Sequence, residues 1–247
     1  APSVTISGGG GAHAVAYVSL TPPSKPIFLT AHTQRLFCAS ADTANTPDTL
    51  YFSDILDGET WDPAGSVRIG GDGDPITGLY PWFGFKLLVF KEKSIWYVDA
   101  NPQLDPADWD IGIVSGNVGC ISHRSIASVG SDVFFLARDG VRSLAQIQSG
   151  TQTDVGLPLS APINDLISQI DYTSRAKCDG VYWRNRYMLS VPLRSGSNTQ
   201  STCNAVLVFH ALAKAWLGKW DNWNVNDFIP TSFSSDGPRL MWAGTLS

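Results

Sequence analysis

The chain has 247 residues, 43% of them apolar and 16% charged, with 9 tryptophans and a net charge of −5. That balance excludes a disordered chain of low hydrophobicity, and an acidic total without a basic run argues against a nucleic-acid-binding surface. A membrane-crossing helix needs roughly 18 apolar residues in a row, and the longest runs here, such as Leu87 to Phe90 and Ala205 to Phe209, stop at four or five.

The first residues lack the basic, apolar and small-residue succession of a secretory signal. Ser7 to Gly11 reads SGGGG, Ala14, Ala16, Val18 and Leu20 alternate with other residues, and TPPSKP follows. Glycines loosen the chain and the proline pair imposes an extended exit. Residues 1–25 therefore read as an N-terminal strand and a Gly/Pro linker from a neighbouring domain, handing over near Ile27 to one domain across 26–247.

From there a phrase returns five times, a charged residue followed by a short apolar strand: RLFCAS from Arg35, KLLVFK from Lys86, DVFFLA from Asp132, RYMLSV from Arg186 and RLMWAG from Arg239. The intervals between successive starts are 51, 46, 54 and 53 residues. Four strands of about five residues with their turns occupy about 45 to 50 residues, the size of a propeller blade. The fold expected is an all-β propeller of such repeats. The last repeat has only one hairpin's worth of residues, so either the chain is a segment of a longer polypeptide or its N-terminal strands complete the ring.

Within the repeats, Lys86 to Phe90 turns at Lys91, Glu92 and Lys93 and returns through Ser94 to Val98, and Val133 to Ala137 turns at Arg138, Asp139 and Gly140 and returns through Val141 to Leu144. Both read as meander hairpins. One helix is expected, with Ser160 as N-cap, Pro162 in the first turn, and Ile163, Leu166, Ile167 and Ile170 on a single stripe that packs on the sheet beside it. The polar stretch Arg194 to Cys203 reads as a projecting loop and a contact site. Trp82, Phe83 and Phe85 fit either a blade interior or an interface.

Chemistry is sparsely signalled. Ser53 to Trp61 reads SDILDGETW, a near match to the Asp-box turn of sialidase-type propellers: Gly58, Thr60 and Trp61 fit, but Leu56 stands where the pattern has Asp and Asp54 where it has Ser. Further acids cluster at Asp72 and Asp74 and at Asp105, Asp108 and Asp110. Paired carboxylates can hydrolyse glycosides and oxygen clusters can hold calcium; amid Gly, Pro and Asn, however, such acids more often bond the backbone of their own turns. His13, His32, His123 and His210 are scattered without metal-ligand spacing. Tyr182, Trp183 and Tyr187 lie among Arg184 and Arg186, a mixture able to stack bases, but read as one strand they alternate as an ordinary blade does. Cys38, Cys120, Cys178 and Cys203 form no CxxC pair and read as reduced core thiols, with Cys178 and Cys203 able to pair across one blade. No catalytic, cofactor-binding or metal-ligating residue is expected.

The succession LYFSDILDGETW from Leu50, GGDGDPITGL from Gly70, LLVFKEKSIWYV from Leu87, NVGCISHRSIASVGSDVFFLARDGVRSL from Asn117 and LSAPINDLI from Leu159 resembles the propeller region of tail nozzle proteins, also called tail tubular protein B, of short-tailed bacteriophages. The resemblance covers about residues 24 to 170. It implies a structural virion protein in the tail, assembled in the host cytoplasm. It also implies a homo-oligomer, a hexameric ring contacting tail adaptor and tail fibre proteins, through which DNA passes without specific binding. A carbohydrate-active, sialidase-like propeller enzyme is the alternative, and a generic protein-binding propeller a third reading.

Overall fold

The computed structural model describes residues 4–8, 11–15, 23, 25–40, 46–62, 65–149, 156–196, 199–231 and 237–244. Nearly all regular structure in it is antiparallel sheet with sequential strand order. The first sheet holds β3 (Pro26–His32), β4 (Arg35–Ser40), β5 (Thr49–Phe52) and β6 (Ser66–Arg68), and the second β7 (Ile76–Pro81), β8 (Lys86–Lys91), β9 (Ile95–Asp99) and β10 (Asp110–Ser115). The third has three strands, β11 (Ala127–Val129), β12 (Asp132–Ala137) and β13 (Gly140–Ser143). The fourth has β14 (Asp179–Trp183), β15 (Arg186–Val191), β16 (Ala205–His210) and β17 (Ala215–Asp221), and the fifth only β18 (Val225–Thr231) and β19 (Arg239–Gly244).

Each of the five recurring phrases is the second strand of its sheet: β4, β8, β12, β15 and β19. In the first four sheets the second strand is flanked by a strand on either side and lies inside the stack, so its sequence is continuously apolar rather than alternating. Alternate side chains along it feed successive cores. Leu87 and Val89 join Phe37, Leu50, Phe52 and Trp109 between the first and second sheets. Leu88 and Phe90 on the opposite face meet Val133 and Phe135 of the third, with the Phe90 and Phe135 rings 5.1 Å apart. Phe134 and Leu136 then meet Tyr187, Leu189, Leu207 and Phe209 of the fourth. Val181, Met188, Val206 and Val208 meet Val225 and Phe228 of the fifth. The first strands gather toward one another, β3 beside β7, β7 beside the 3-10 turn His123–Ser125, and β14 beside that turn, β11 and β18. Sheets stacked face to face with their first strands inward make the blade arrangement of a β-propeller. Burying each Phe or Leu in these layers contributes about 1.5–3 kcal/mol.

The N-terminal region forms two strands rather than one: β1 (Val4–Gly8) and β2 (Gly11–Val15) pair with each other as a hairpin. Val18, Leu20 and half of TPPSKP lie outside the described residues. The expected helix is shorter than its apolar stripe. Ala161–Ile163 is a 3-10 turn that runs into a four-residue α2 (Asn164–Ile167), while a helix the sequence did not announce, α1 (Leu144–Ser149), follows β13. Ser160 makes no side-chain cap there; its Oγ instead accepts the Val141 N–H at 3.0 Å. The stripe does pack as expected, with Ile167 and Ile170 buried and Ile163 and Leu166 against them.

Reading Val181 to Leu189 as one strand is corrected. Arg184 and Asn185 both have positive φ, 47° and 63°, and form a two-residue hairpin turn between β14 and β15. Neither is glycine, so the usual turn signal is missing. The turn reverses the chain, and Tyr182 sits directly across from Tyr187 and Trp183 from Arg186. Tyr187 is fully buried and its hydroxyl donates to the Ser125 carbonyl at 2.7 Å, so this aromatic is a core strut and not a stacking platform.

Candidate assembly surface and the polar clusters

Of the acids expected to bond the backbone of their own turns, Asp57, Asp72 and Asp105 do so, whereas Asp110 begins β10 and bonds a side chain. Asp57 Oδ1 accepts the N–H groups of Glu59 and Thr60 at 2.9 and 3.2 Å, and its Oδ2 accepts the Thr60 hydroxyl at 2.8 Å. The Thr60 hydroxyl foremost, and the Glu59 N–H, hold this carboxyl below the usual carboxylate range. Trp61 Nε1 donates to the Gly58 carbonyl at 3.0 Å, and a Cβ on Gly58 would lie 2.8 Å from Leu36 Cδ1. The turn is thus closed by an acid one position later than the Asp-box pattern places it.

The second cluster is fastened by a residue that looks like a hairpin-turn charge. Lys91 is fully buried, and its Nζ donates to the Ile69 carbonyl at 3.0 Å and to Asp72. Burial works against ionised Asp72, but the Lys91 hydrogen bond and charge outweigh it and leave the pKa below the ordinary value. Asp74 accepts the Lys93 N–H at 2.9 Å, and burial raises its pKa. Sequence reasoning missed Asp48, fully buried beneath this loop, which accepts Arg68 Nη2 at 2.9 Å and the Gly73 N–H at 3.2 Å.

In the third cluster, Asp105 caps the 3-10 turn Pro106–Asp108 by accepting the Ala107 N–H at 2.9 Å, and Asp110 accepts the Tyr97 hydroxyl at 2.8 Å. The fold brings Asp54 and Asp105 together with Asp62 and Arg35 along one open groove of about 540 Å³, with Phe52 and Trp109 in its wall. The Arg35 guanidinium lies 5.4 and 5.7 Å from the Phe52 and Trp109 ring centroids.

Among the described residues, no three His, Cys, Asp or Glu side chains are grouped to hold a metal ion. Burial lowers the pKa of both His32 and His123, and His210 Nδ1 accepts the Ala213 N–H at 3.2 Å; the side chain of His13 lies outside the description. All four cysteines are buried free thiols. Burial pushes Cys38 up to about 11 and Cys120 to about 12. Cys203 Sγ donates to the Lys177 carbonyl at 3.2 Å, beside Cys178, but the two form no disulfide.

The stretch Arg194 to Cys203 is anchored at both ends, with Ser195, Gly196, Thr199 and Ser201 exposed between them. Asp171, fully buried, accepts Arg194 Nη2 at 3.1 Å and the Gln200 N–H at 2.8 Å, and Cys203 is fully buried. Residues 197–198 lie outside the described set. The Thr173 hydroxyl, Arg194 and Gln200 together depress the Asp171 pKa.

A cluster the sequence did not reveal joins the inner strands of the fourth and fifth sheets to the 3-10 turn His123–Ser125. Asp179 of β14, 7% exposed, accepts the Phe228 N–H of β18 at 2.7 Å and pairs with Arg124 Nε at 3.4 Å. Arg124 Nη2 reaches Asp227 at 3.0 Å and the Asn226 carbonyl at 2.6 Å. Burial raises the Asp179 pKa to about 6, and Asp227 adds to the rise, against the Phe228 N–H and the Arg124 charge.

Part of the exposed surface of the last two sheets is apolar. The rings of Trp220, Trp223 and Trp242 lie in series, with centroids 5.1 and 5.4 Å apart, and stay 38%, 38% and 52% exposed. Leu217 on β17 and Ile229 and Met241 on the fifth sheet are also exposed. Of the LYPWFGF aromatics, Trp82 packs toward a core while Phe83 and Phe85 are exposed.

Neither a protein-family model nor a curated protein matches the sequence. Among solved structures, the chain is similar to the computationally designed protein Ika8 at TM-score 0.46 and 10% identity, covering 88% of this chain and 58% of that one. It is similar to BamB from Moraxella catarrhalis at TM-score 0.41 and 12% identity, covering 83% and 56%, and to the AfRom2 CNH domain at TM-score 0.40 and 11% identity, covering 96% and 85%. The chain thus spans a little over half the length of the first two of these.

Proposed function

We propose that this chain is a structural assembly protein, a subunit of a bacteriophage tail nozzle that joins copies of itself into a hexameric ring through which the genome passes. The observation that carries the reading is the row of exposed indoles, Trp220, Trp223 and Trp242. Contiguous exposed apolar surface marks a protein contact, and tryptophan is enriched at such contacts. Most of the clustered acids, by comparison, are spent on turns and sheet ties. A net charge of −5 repeated around a ring disfavours DNA binding in the lumen.

The test is the mass and shape of the purified chain by analytical ultracentrifugation and negative-stain microscopy. Six-fold rings that dissociate in a Trp220→Arg, Trp223→Arg double variant are expected, and labelled antibody should find the protein at the tail tip of virions. A monomer at tens of micromolar that never enters a particle would overturn the reading. The groove lined by Asp54, Asp62 and Asp105 is the one observation that favours the carbohydrate-active alternative. Glycan hydrolysis lost in an Asp54→Asn, Asp105→Asn variant would establish that alternative instead.

A further inference from the structure

Charge is divided unevenly along the chain. Residues 36–67 hold six acids and residues 94–123 hold four, with no lysine or arginine in either stretch. Residues 180–220 hold five lysines and arginines and no acid. The first two stretches include the turns from β5 to β6 and from β9 to β10, and the third includes the turns from β14 to β15 and from β16 to β17. All four of these turns lie at one end of the stacked sheets. The two acidic turns share one groove, Glu92 and Arg138 pair at the opposite end of the second and third sheets, and Phe134 near the start of β12 meets Tyr187 near the start of β15.

Several of these charged groups make no hydrogen bond or ion pair among the described residues. The exposed carboxylates of Asp54, Glu59 and Asp108 are of this kind, and Leu56, in the same turn as the first two, is 81% exposed. On the fourth sheet the two turns adjoin, with the Ala211 N–H donating to the Asn185 carbonyl at 2.8 Å. Arg184, Arg186 and Lys214 are exposed there and likewise form no ion pair among the described residues, and Leu212 beside them is 73% exposed. Arg184 and Lys214 take positive φ, 47° and 50°, a conformation that is strained for residues other than glycine. Such strain persists where it serves a function. Glycine would shape both turns with less strain, and what it would not supply is the charge.

We propose that this chain joins a second copy head to tail, the basic turns of the fourth sheet of one copy docking on the acidic turns of the first and second sheets of the next. Unlike charges attract across such a contact and like charges repel, so charge sets which sides meet. The two patches lie at the same level on different sides of one subunit, with the third sheet between them. A contact between unlike surfaces repeats around an axis and closes into a ring or runs on as a filament. Trp220 stands on β17 of the same fourth sheet, which puts the indole row on the basic side of the contact. The proposal rests on the self-association proposed above and adds the surface that receives it.

Ultracentrifugation of the full chain at low salt tests it. Asp54→Lys with Asp108→Lys, and Arg184→Glu with Lys214→Glu, should each reduce the assembly to monomers, and an equimolar mixture of the two variants should recover the parent's mass. Arg184→Gly with Lys214→Gly should also give monomers, with a denaturation midpoint no lower than the parent's, which separates a lost contact from a lost fold. Oligomers that keep their mass in every variant would overturn this docking while leaving the tryptophan row in place, and a mixture that stays monomeric would overturn it too. A monomeric parent would overturn both readings. Dimers as the largest parent species would show like surfaces meeting face to face, against the head-to-tail order. Duplex DNA retained by the parent and not by the Glu variant, in oligomers of unchanged mass, would assign the cations to nucleic acid instead.

Discussion

β4 and β19 share the pattern of an arginine followed by apolar residues, RLFCAS against RLMWAG, and the same place in their sheets, yet one lies in the core and the other at the surface. The difference lies in the neighbours. β4 has β3 and β5 at its sides and the second sheet on one face, while among the described residues β19 has only β18 at its side and only Leu240 against the fourth sheet. Apolar character in a strand therefore records the surroundings it was selected for and does not by itself create them.

The sharpest way to break this comparison is to truncate one large apolar side chain in each strand. Phe37→Ala should cost about 3–5 kcal/mol by opening a cavity among Phe52, Leu50 and Trp109, while Met241→Ala should cost less than about 1 kcal/mol. Equal losses in urea titrations would show that β19 is covered in solution.

Next in size is the tie between the fourth and fifth sheets. With its pKa raised to about 6, folded Asp179 keeps its proton at pH values where the unfolded chain has released it. Stability from this group is therefore highest below about pH 4, falls as pH rises toward 6 and is flat above, a change of about 3 kcal/mol. Asp179→Asn keeps an oxygen for the Phe228 N–H and removes this dependence. Titrations at pH 4, 5, 6 and 7 should show the variant gaining on the parent up to pH 6, and a constant offset would refute the assignment.

Tyr187→Phe leaves the buried Ser125 carbonyl without the tyrosine hydroxyl and should cost about 1–3 kcal/mol, read from the denaturation midpoint. Smallest in stability is Trp242→Arg on the exposed row, within about 0.5 kcal/mol. If the row is a contact between copies, that change nevertheless lowers the oligomer mass in ultracentrifugation.

Much of the architecture was legible in the sequence because the second strand of a blade is apolar on both faces and so stands out at each repeat. The hairpins at Lys86 to Val98 and Val133 to Leu144 followed from the same logic. What was not legible depends on partners far apart in the chain. Lys91 reads as a turn charge until Ile69 and Asp72 are seen around it, and Arg124 joins Asp179 and Asp227 across more than fifty residues. The turn at Arg184 and Asn185 escaped notice because neither residue is glycine, although both take the left-handed conformation. Of the candidate surface, the tryptophans were visible as residues, but their alignment into one row was not.

By itself the sequence determined the all-β class, the blade length and which strand of each blade is most apolar, since these follow from local periodicity and spacing. Only the tertiary structure decided which charges are buried, which acids are spent in turns, and that the last of the five phrases lies on an open edge. Those outcomes depend on what packs against a residue, and packing joins segments whose separation along the chain carries no local signal.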